Sequence, residues 1–159
     1  MERYQKVADH KKLHDYLEQI KGLEEQRIFC HHDWEHMLAV ARIAYILSLE
    51  EGLNISKDWI YAAALLHDIG KKAQYERGIP HEIESAALAE GILMDCGYEA
   101  EEIAEITAAI MCHRSYREEN NDFQKLLYRA DKLSRPCRSC QAAEQCKWPK
   151  ERKNTGVIV

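Results

Sequence analysis

Residues 64–72 read ALLHDIGKK. A run of small and apolar side chains ends in His67 beside Asp68, and a glycine and two lysines follow. Imidazole and carboxylate are good ligands for a divalent transition metal, and a carboxylate can also orient or deprotonate a water molecule. Successive residues on a helix point about 100° apart. His67 and Asp68 can therefore share an ion only if it rests against the helix and other ligands arrive from neighbouring helices. His36, His81, His113 and Asp131 offer such ligands, each near a helix end or flanked by apolar residues. His36 and Asp131 are the natural candidates to complete a set of two imidazoles and two carboxylates. Alone, each of these residues reads as a surface or hydrogen-bonded side chain, and only the combination is specific.

The elements that must position them are helical. Tyr4, Val7, Leu13, Leu17 and Ile20 make one apolar stripe, with Gly22 as its stop. Asp33 reads as the N-cap of a helix carrying Met37, Val40, Ala44 and Leu47 inward, closed by Gly52. Ser56 caps the next, with Trp59, Ile60, Ala63 and Leu66 inward and an end near Gly70. Residues 72–80 read as a loop broken by Gly78 and Pro80. Further helices run from His81 to Gly97, from Glu99 to His113 and from Phe123 to Leu133, with Pro136 forcing a stop. No stretch alternates like a strand. The expectation is an all-α bundle of about six helices over residues 1–135, with a short cysteine-containing basic tail over 136–159.

Bulk properties agree with an ordinary globular domain. Hydrophobic residues are 46% and charged residues 31% of the 159, which excludes a disordered chain. The longest apolar run, WIYAAALL at 59–66, falls far short of the ~20 residues a membrane span needs. With no secretory signal pattern at the N-terminus, the chain reads as cytoplasmic, and its six cysteines as reduced. The net charge of −5 divides into about −9 before Arg135 and +4 after it. An acidic body argues against nucleic acid as the main partner. The basic tail reads as a solvated end.

HDWEHMLAVARIA (32–44), AAALLHDIGK (62–71) and RAD (129–131) together resemble the HD superfamily of metal-dependent phosphohydrolases, an all-α family named for its His-Asp pair. The resemblance covers residues 30–135. It implies metal ligands at His36, His67, Asp68 and Asp131. Many members carry Arg-Val after the first histidine, where this chain has Ala39-Val40. A second His-Asp pair, His32-Asp33, precedes its helix and reads as a turn and cap.

Such a ligand set suits Mn²⁺, Fe²⁺, Ni²⁺, Co²⁺ or Zn²⁺. A divalent ion lowers the pKa of bound water, which Asp68 is placed to orient or deprotonate. Lys71 is the best cation for substrate phosphate, although a lysine there also suits a helix C-terminus. Arg114 and Arg135 are weaker candidates for the same role, and Lys72 reads as facing solvent. His81 and His113 either hold a second ion, as in some HD families, or touch substrate. Two ions would favour a phosphodiester or polyphosphate, and one ion a monoester. The expected function is hydrolysis of a phosphate ester of a nucleotide or similar small metabolite, with a homodimer an open alternative to a monomer. A non-catalytic nucleotide-binding HD module is the rival reading, and a di-iron oxygenase a weaker third. Finally, Cys137, Cys140 and Cys146 have spacing that suits zinc or an iron–sulfur site, with a fourth ligand such as Cys30, Cys112 or a histidine. A redox-responsive thiol pair or plain reduced cysteines fit the same spacing.

Overall fold

A computed structural model describes residues 2–157. The elements are α1 (Arg3–Ala8), α2 (Lys11–Leu23), α3 (Trp34–Glu50), α4 (Lys57–Leu66), α5 (Lys71–Arg77), α6 (His81–Asp95), α7 (Ala100–Cys112) and α8 (Asp122–Leu133). Short 3₁₀ turns follow at Cys137–Ser139 and Lys150–Arg152. The architecture is all-α, with no strand among the described residues. No helix among them is long and apolar enough to cross a membrane.

Helix α4 is the centre of the bundle and packs on α1, α3, α6, α7 and α8. Its Ile60, Ala62, Ala63, Ala64, Leu65 and Leu66 are all buried. A helix that is apolar on every side must be enclosed, and its three alanines let neighbouring backbones come close. Helices α3, α6, α7 and α8 supply the rest of the core through residues such as Met37, Val40, Ile92, Leu93, Ile106, Ile110 and Leu126. The caps expected at Asp33 and Ser56 are present: the Asp33 carboxylate accepts from the His36 amide at 2.9 Å, and Ser56 Oγ from the Asp58 amide at 3.2 Å. Gly97 closes α6 with φ 85, a left-handed conformation that glycine adopts without steric cost.

Three features differ from the sequence expectation. The N-terminal stripe is broken at Asp9–His10 into α1 and α2, which serve different neighbours: α1 packs on α4, and α2 on α5. Residues 72–77, expected within a loop, belong instead to helix α5, and Gly78 ends it with φ 70. The tail is not a solvated end. The Asn154 side-chain amide donates to the main-chain oxygens of Lys132, Leu133 and Arg135 at 2.8, 3.2 and 3.0 Å, satisfying carbonyls that the end of α8 leaves open. Lys153 Nζ also donates to Ala143 O at 2.6 Å, so the segment folds back on itself and on the bundle.

Candidate metal centre

Five helices bring ligand-type side chains to one buried place. His36 lies in the first turn of α3, where the Asp33 cap fixes the backbone. His67 is the C-cap of α4, and Asp68 begins the turn that follows. His81 is the first residue of α6, His113 the C-cap of α7, and Asp131 lies near the end of α8. All six are buried, with His67 at 0% and Asp68 at 1% exposure.

The six form two groups that share Asp68. In the first, Asp68 Oδ2 lies 3.1 Å from His67 Nε2 and 3.3 Å from His36 Nε2. Asp131 Oδ1 closes that group, 3.4 Å from His36 Nε2 and 3.7 Å from His67 Nε2. In the second, Asp68 Oδ1 lies 3.2 Å from His81 Nε2 and 3.5 Å from His113 Nε2. Within each group the ligand atoms all lie within 4.8 Å of one another.

Hydrogen bonding on the far side of each ring fixes which nitrogen faces the centre. His67 Nδ1 donates to Ala64 O at 2.7 Å, and His113 Nδ1 to Ile110 O at 2.6 Å. His81 Nδ1 donates to the Gln74 side-chain oxygen. His36 Nδ1 donates to Ser134 Oγ at 3.2 Å, while that hydroxyl donates to Asp131 O at 2.7 Å. A proton on every Nδ1 leaves every Nε2 as a lone pair. The Nε2 atoms of His36 and His67 are only 3.2 Å apart, and those of His81 and His113 only 3.0 Å apart. Facing lone pairs repel unless a cation stands between them. Asp68 Oδ2 is also buried with no hydrogen-bond partner. This donor set fits one divalent ion in each group, with Asp68 between them.

In the metal-free protein a proton takes the place of an ion. Burial opposes charging His67, but the negative charges of Asp68 and Asp131 outweigh it and hold its pKa up at about 9. The two carboxyls are held well below the usual carboxylate range. Burial works against this, and the histidines around them, with Arg135 and Lys132 beside Asp131, more than offset it.

The expected cations occupy different positions. Lys71 opens α5 and is buried. Burial lowers its pKa, against the pull of Asp68 and Asp131. The glycine before it does not free the lysine by breaking a helix. A Cβ on Gly70 would lie 2.6 Å from both His81 O and Ser85 N, so Gly70 lets α6 approach and place His81. Its amide donates to Ser85 Oγ at 2.9 Å. Arg135 is mostly buried and pairs with Asp131 Oδ1 at 3.1 Å, and Lys132 pairs with Asp131 Oδ2 at 2.6 Å. Arg114 is exposed and lies 3.6 Å from Glu82. Lys72 is half-buried and pairs with Glu76 at 2.6 Å.

His32 is the residue that sequence reasoning placed outside the site. It is 4% exposed, and its Nε2 lies 3.9 Å from Asp68 Oδ2. Its ring Nδ1 and its amide both bond to the buried Glu24 carboxylate, which also accepts from the Tyr75 hydroxyl. Burial pushes the His32 pKa down to about 4, although Asp68 and Glu24 oppose it, so the ring is neutral at pH 7. Glu24 lies eight residues upstream in a polar connection, and no periodicity marks the pair.

Cys137, Cys140 and Cys146 line a cavity of about 370 Å³, together with Cys30, and His32 and Arg135 form its wall towards the centre. Among the described residues, no three of these sulfurs lie within 4.8 Å of one another.

The HD domain family model matches residues 33–135, more than half of the chain. An uncharacterised protein of Clostridium beijerinckii is 46% identical over 97% of both chains. The ribonuclease Y of Pelobacter propionicus is 30% identical over 76% of this chain, which spans only 21% of that protein. The putative phosphohydrolase YueE of Bacillus subtilis is 34% identical over 62% of this chain and 63% of its own length. A crystal structure of a predicted HD superfamily hydrolase from an uncultured Thermotogales bacterium shares the fold, with a TM-score of 0.67 and 23% identity over 91% of this chain and 80% of that one. The match of the HD domain model to more than half of the chain makes this chain a member of the HD domain family, and the Thermotogales structure shares its fold.

Proposed function

We propose that the protein is a metal-dependent phosphohydrolase acting on a phosphate ester of a nucleotide or a similar small metabolite, with two divalent ions flanking Asp68. One observation carries this reading: each oxygen of one buried carboxylate faces its own pair of histidine lone pairs. That arrangement favours a phosphodiester or polyphosphate over a monoester, because paired ions can stabilise both the attacking and the leaving oxygen. The imidazole and carboxylate donors suit Mn, Fe, Co, Ni or Zn. When bound, the ions supply Lewis acidity and a water of lowered pKa.

The chain's own groups do the rest. His36, His67 and Asp131 hold one side of the centre, and His81 and His113 the other. Neutral His32 presents the Nε2 lone pair towards the centre, and Glu24 stabilises the imidazolium that forms when it takes a proton. Lys71 places positive charge close to Asp68, and among the described residues no carboxylate pairs with it, which suits a phosphate oxygen. The names of two relatives, a ribonuclease and a putative phosphohydrolase, agree with chemistry at a phosphate ester. The net charge of −5 favours a small substrate over a polynucleotide.

A phosphate-release screen over nucleotides, dinucleotides and sugar phosphates, with each of several divalent metals, tests the proposal, and Asp68→Ala is the control. Metal-dependent turnover that the variant lacks supports it. No turnover anywhere, or equal turnover in the variant, would leave the non-catalytic nucleotide-binding module.

A further inference from the structure

Four cysteines outside the His/Asp centre meet at one cavity. Cys30 lies in the connection between α2 and α3, while Cys137, Cys140 and Cys146 lie in the segment after α8. They come from opposite ends of the sequence, yet all four line the cavity of about 370 Å³ beside His32. None is in a disulfide; the remaining cysteines, Cys96 and Cys112, are free as well and lie elsewhere, at the ends of α6 and α7. We infer that this cavity holds an iron–sulfur cluster ligated by Cys30, Cys137, Cys140 and Cys146.

The spacing of the sulfurs separates this from a zinc site. A tetrahedral zinc ion with bonds of ~2.3 Å needs its thiolates about 4 Å apart. The ligand atoms within each of the two His/Asp groups lie within 4.8 Å of one another, and among the described residues no three of these sulfurs do. A cluster spreads its thiolates, because they are shared among several irons rather than drawn to one. The cavity is many times the ~30 Å³ that a water molecule takes up in the liquid, so it has room for more than a single ion. Cys30, Cys137 and Cys140 are also near enough for their charges to act on one another. Burial raises the Cys30 thiol, Arg135 opposes the rise, and the charges of Cys140 and Cys137 add to it.

Charge and architecture agree. A cluster on four thiolates is negatively charged, and Arg27, Arg135, Lys147 and Lys153 line the same cavity. Arg27 Nε donates to Cys30 O at 2.8 Å and fixes the first ligand's loop. Phe29 and Trp148 add apolar wall that limits water. Among the described residues, the segment after α8 has only two three-residue 3₁₀ turns as regular structure, and a bound cluster gives such a segment a centre to fold around.

The test is anaerobic reconstitution of the full chain with ferric and ferrous iron and sulfide. It reads iron and acid-labile sulfide per chain, visible absorption, and electron paramagnetic resonance after reduction. The expected result is ~2–4 sulfides per chain with an absorption that bleaches on reduction. Cys30→Ser and Cys146→Ser each lose most of that sulfide, with helical circular dichroism retained. Cys146, outside the bundle, provides the test if the Cys30 variant does not fold. Cys112→Ser keeps the cluster, and so does Asp68→Ala, which separates this site from the hydrolytic centre. Uptake of iron without sulfide, one zinc ion lost on cysteine substitution, or unchanged sulfide in both serine variants would each overturn the inference.

Discussion

Replacing Asp68 with asparagine removes one charge and keeps the shape of the side chain. In this structure the charge faces two groups: Oδ2 lies 3.1 and 3.3 Å from His67 and His36, and Oδ1 lies 3.2 and 3.5 Å from His81 and His113. A charge about 4 Å from an ion, at an effective dielectric near 20, contributes about 4 kcal/mol per unit charge. For a divalent ion that is at least about a thousandfold in affinity, and it applies on each side of the carboxylate. His81→Ala, by contrast, removes a neutral ligand from one group only. Metal content after gel filtration, read by plasma mass spectrometry, distinguishes the two. Wild type should carry two ions, His81→Ala one, and Asp68→Asn close to none. Titration with a competing chelator should show both affinities reduced in Asp68→Asn and one in His81→Ala. If Asp68→Asn keeps one ion at wild-type affinity, the carboxylate is not shared and the two-ion reasoning fails.

The metal-free protein should show an unusual pH profile. His67 has a folded pKa of about 9 against an ordinary 6.5, so its stabilisation is complete below pH 6.5 and lost as pH rises through 9, about 3 kcal/mol in all. His32, lowered to about 4, acts in the other direction and removes stability as pH falls from 6.5 towards 4. Denaturant unfolding of chelator-treated protein should therefore peak near pH 6.5, and a stability that rises between 6.5 and 9 would contradict the assignment. Gly70→Ala forces a Cβ against the backbone of α6 and should cost ~1–3 kcal/mol, a fall in Tm of several degrees by calorimetry, with the His81 side of the centre weakened more than the His36 side. Glu24→Gln should lower turnover ~100-fold through His32 while metal content stays at the wild-type value. Loss of metal in that variant would show that the pair is structural.

The sequence carried the ligand-type residues because each sits at a legible helix boundary. The Asp33 cap puts His36 in a first turn, and the apolar run from Ala62 to Leu66 leads directly to His67 and Asp68. What stayed hidden depends on polar contacts between distant segments. Residues 71–77 are mostly polar and too short to show a period, yet α5 supplies Gln74 to His81 and Tyr75 to Glu24. The Glu24–His32 pair joins two stretches without periodicity, and a solvent-exposed His-Asp turn looks the same in sequence as a buried one. Gly70 read as a helix stop, but its role is to let another backbone approach, and only the position of α6 reveals that. The cysteine spacing after Pro136 was visible, while the return of that segment onto α8 depends on Asn154, an ordinary surface residue by type.

The convergence of five helices on one buried point also bears on how the chain unfolds. Its cysteines are free, so no covalent bond ties α3 to α8, although the ends of the bundle lie far apart in sequence. Ions at the centre would act as removable cross-links, closing long loops and so shrinking the freedom of the unfolded chain that still holds them. Metal removal should then do more than silence the site. It should loosen α6 and α8 from the α3–α4 core, and amide exchange in those two helices would report how firmly the bundle is tied.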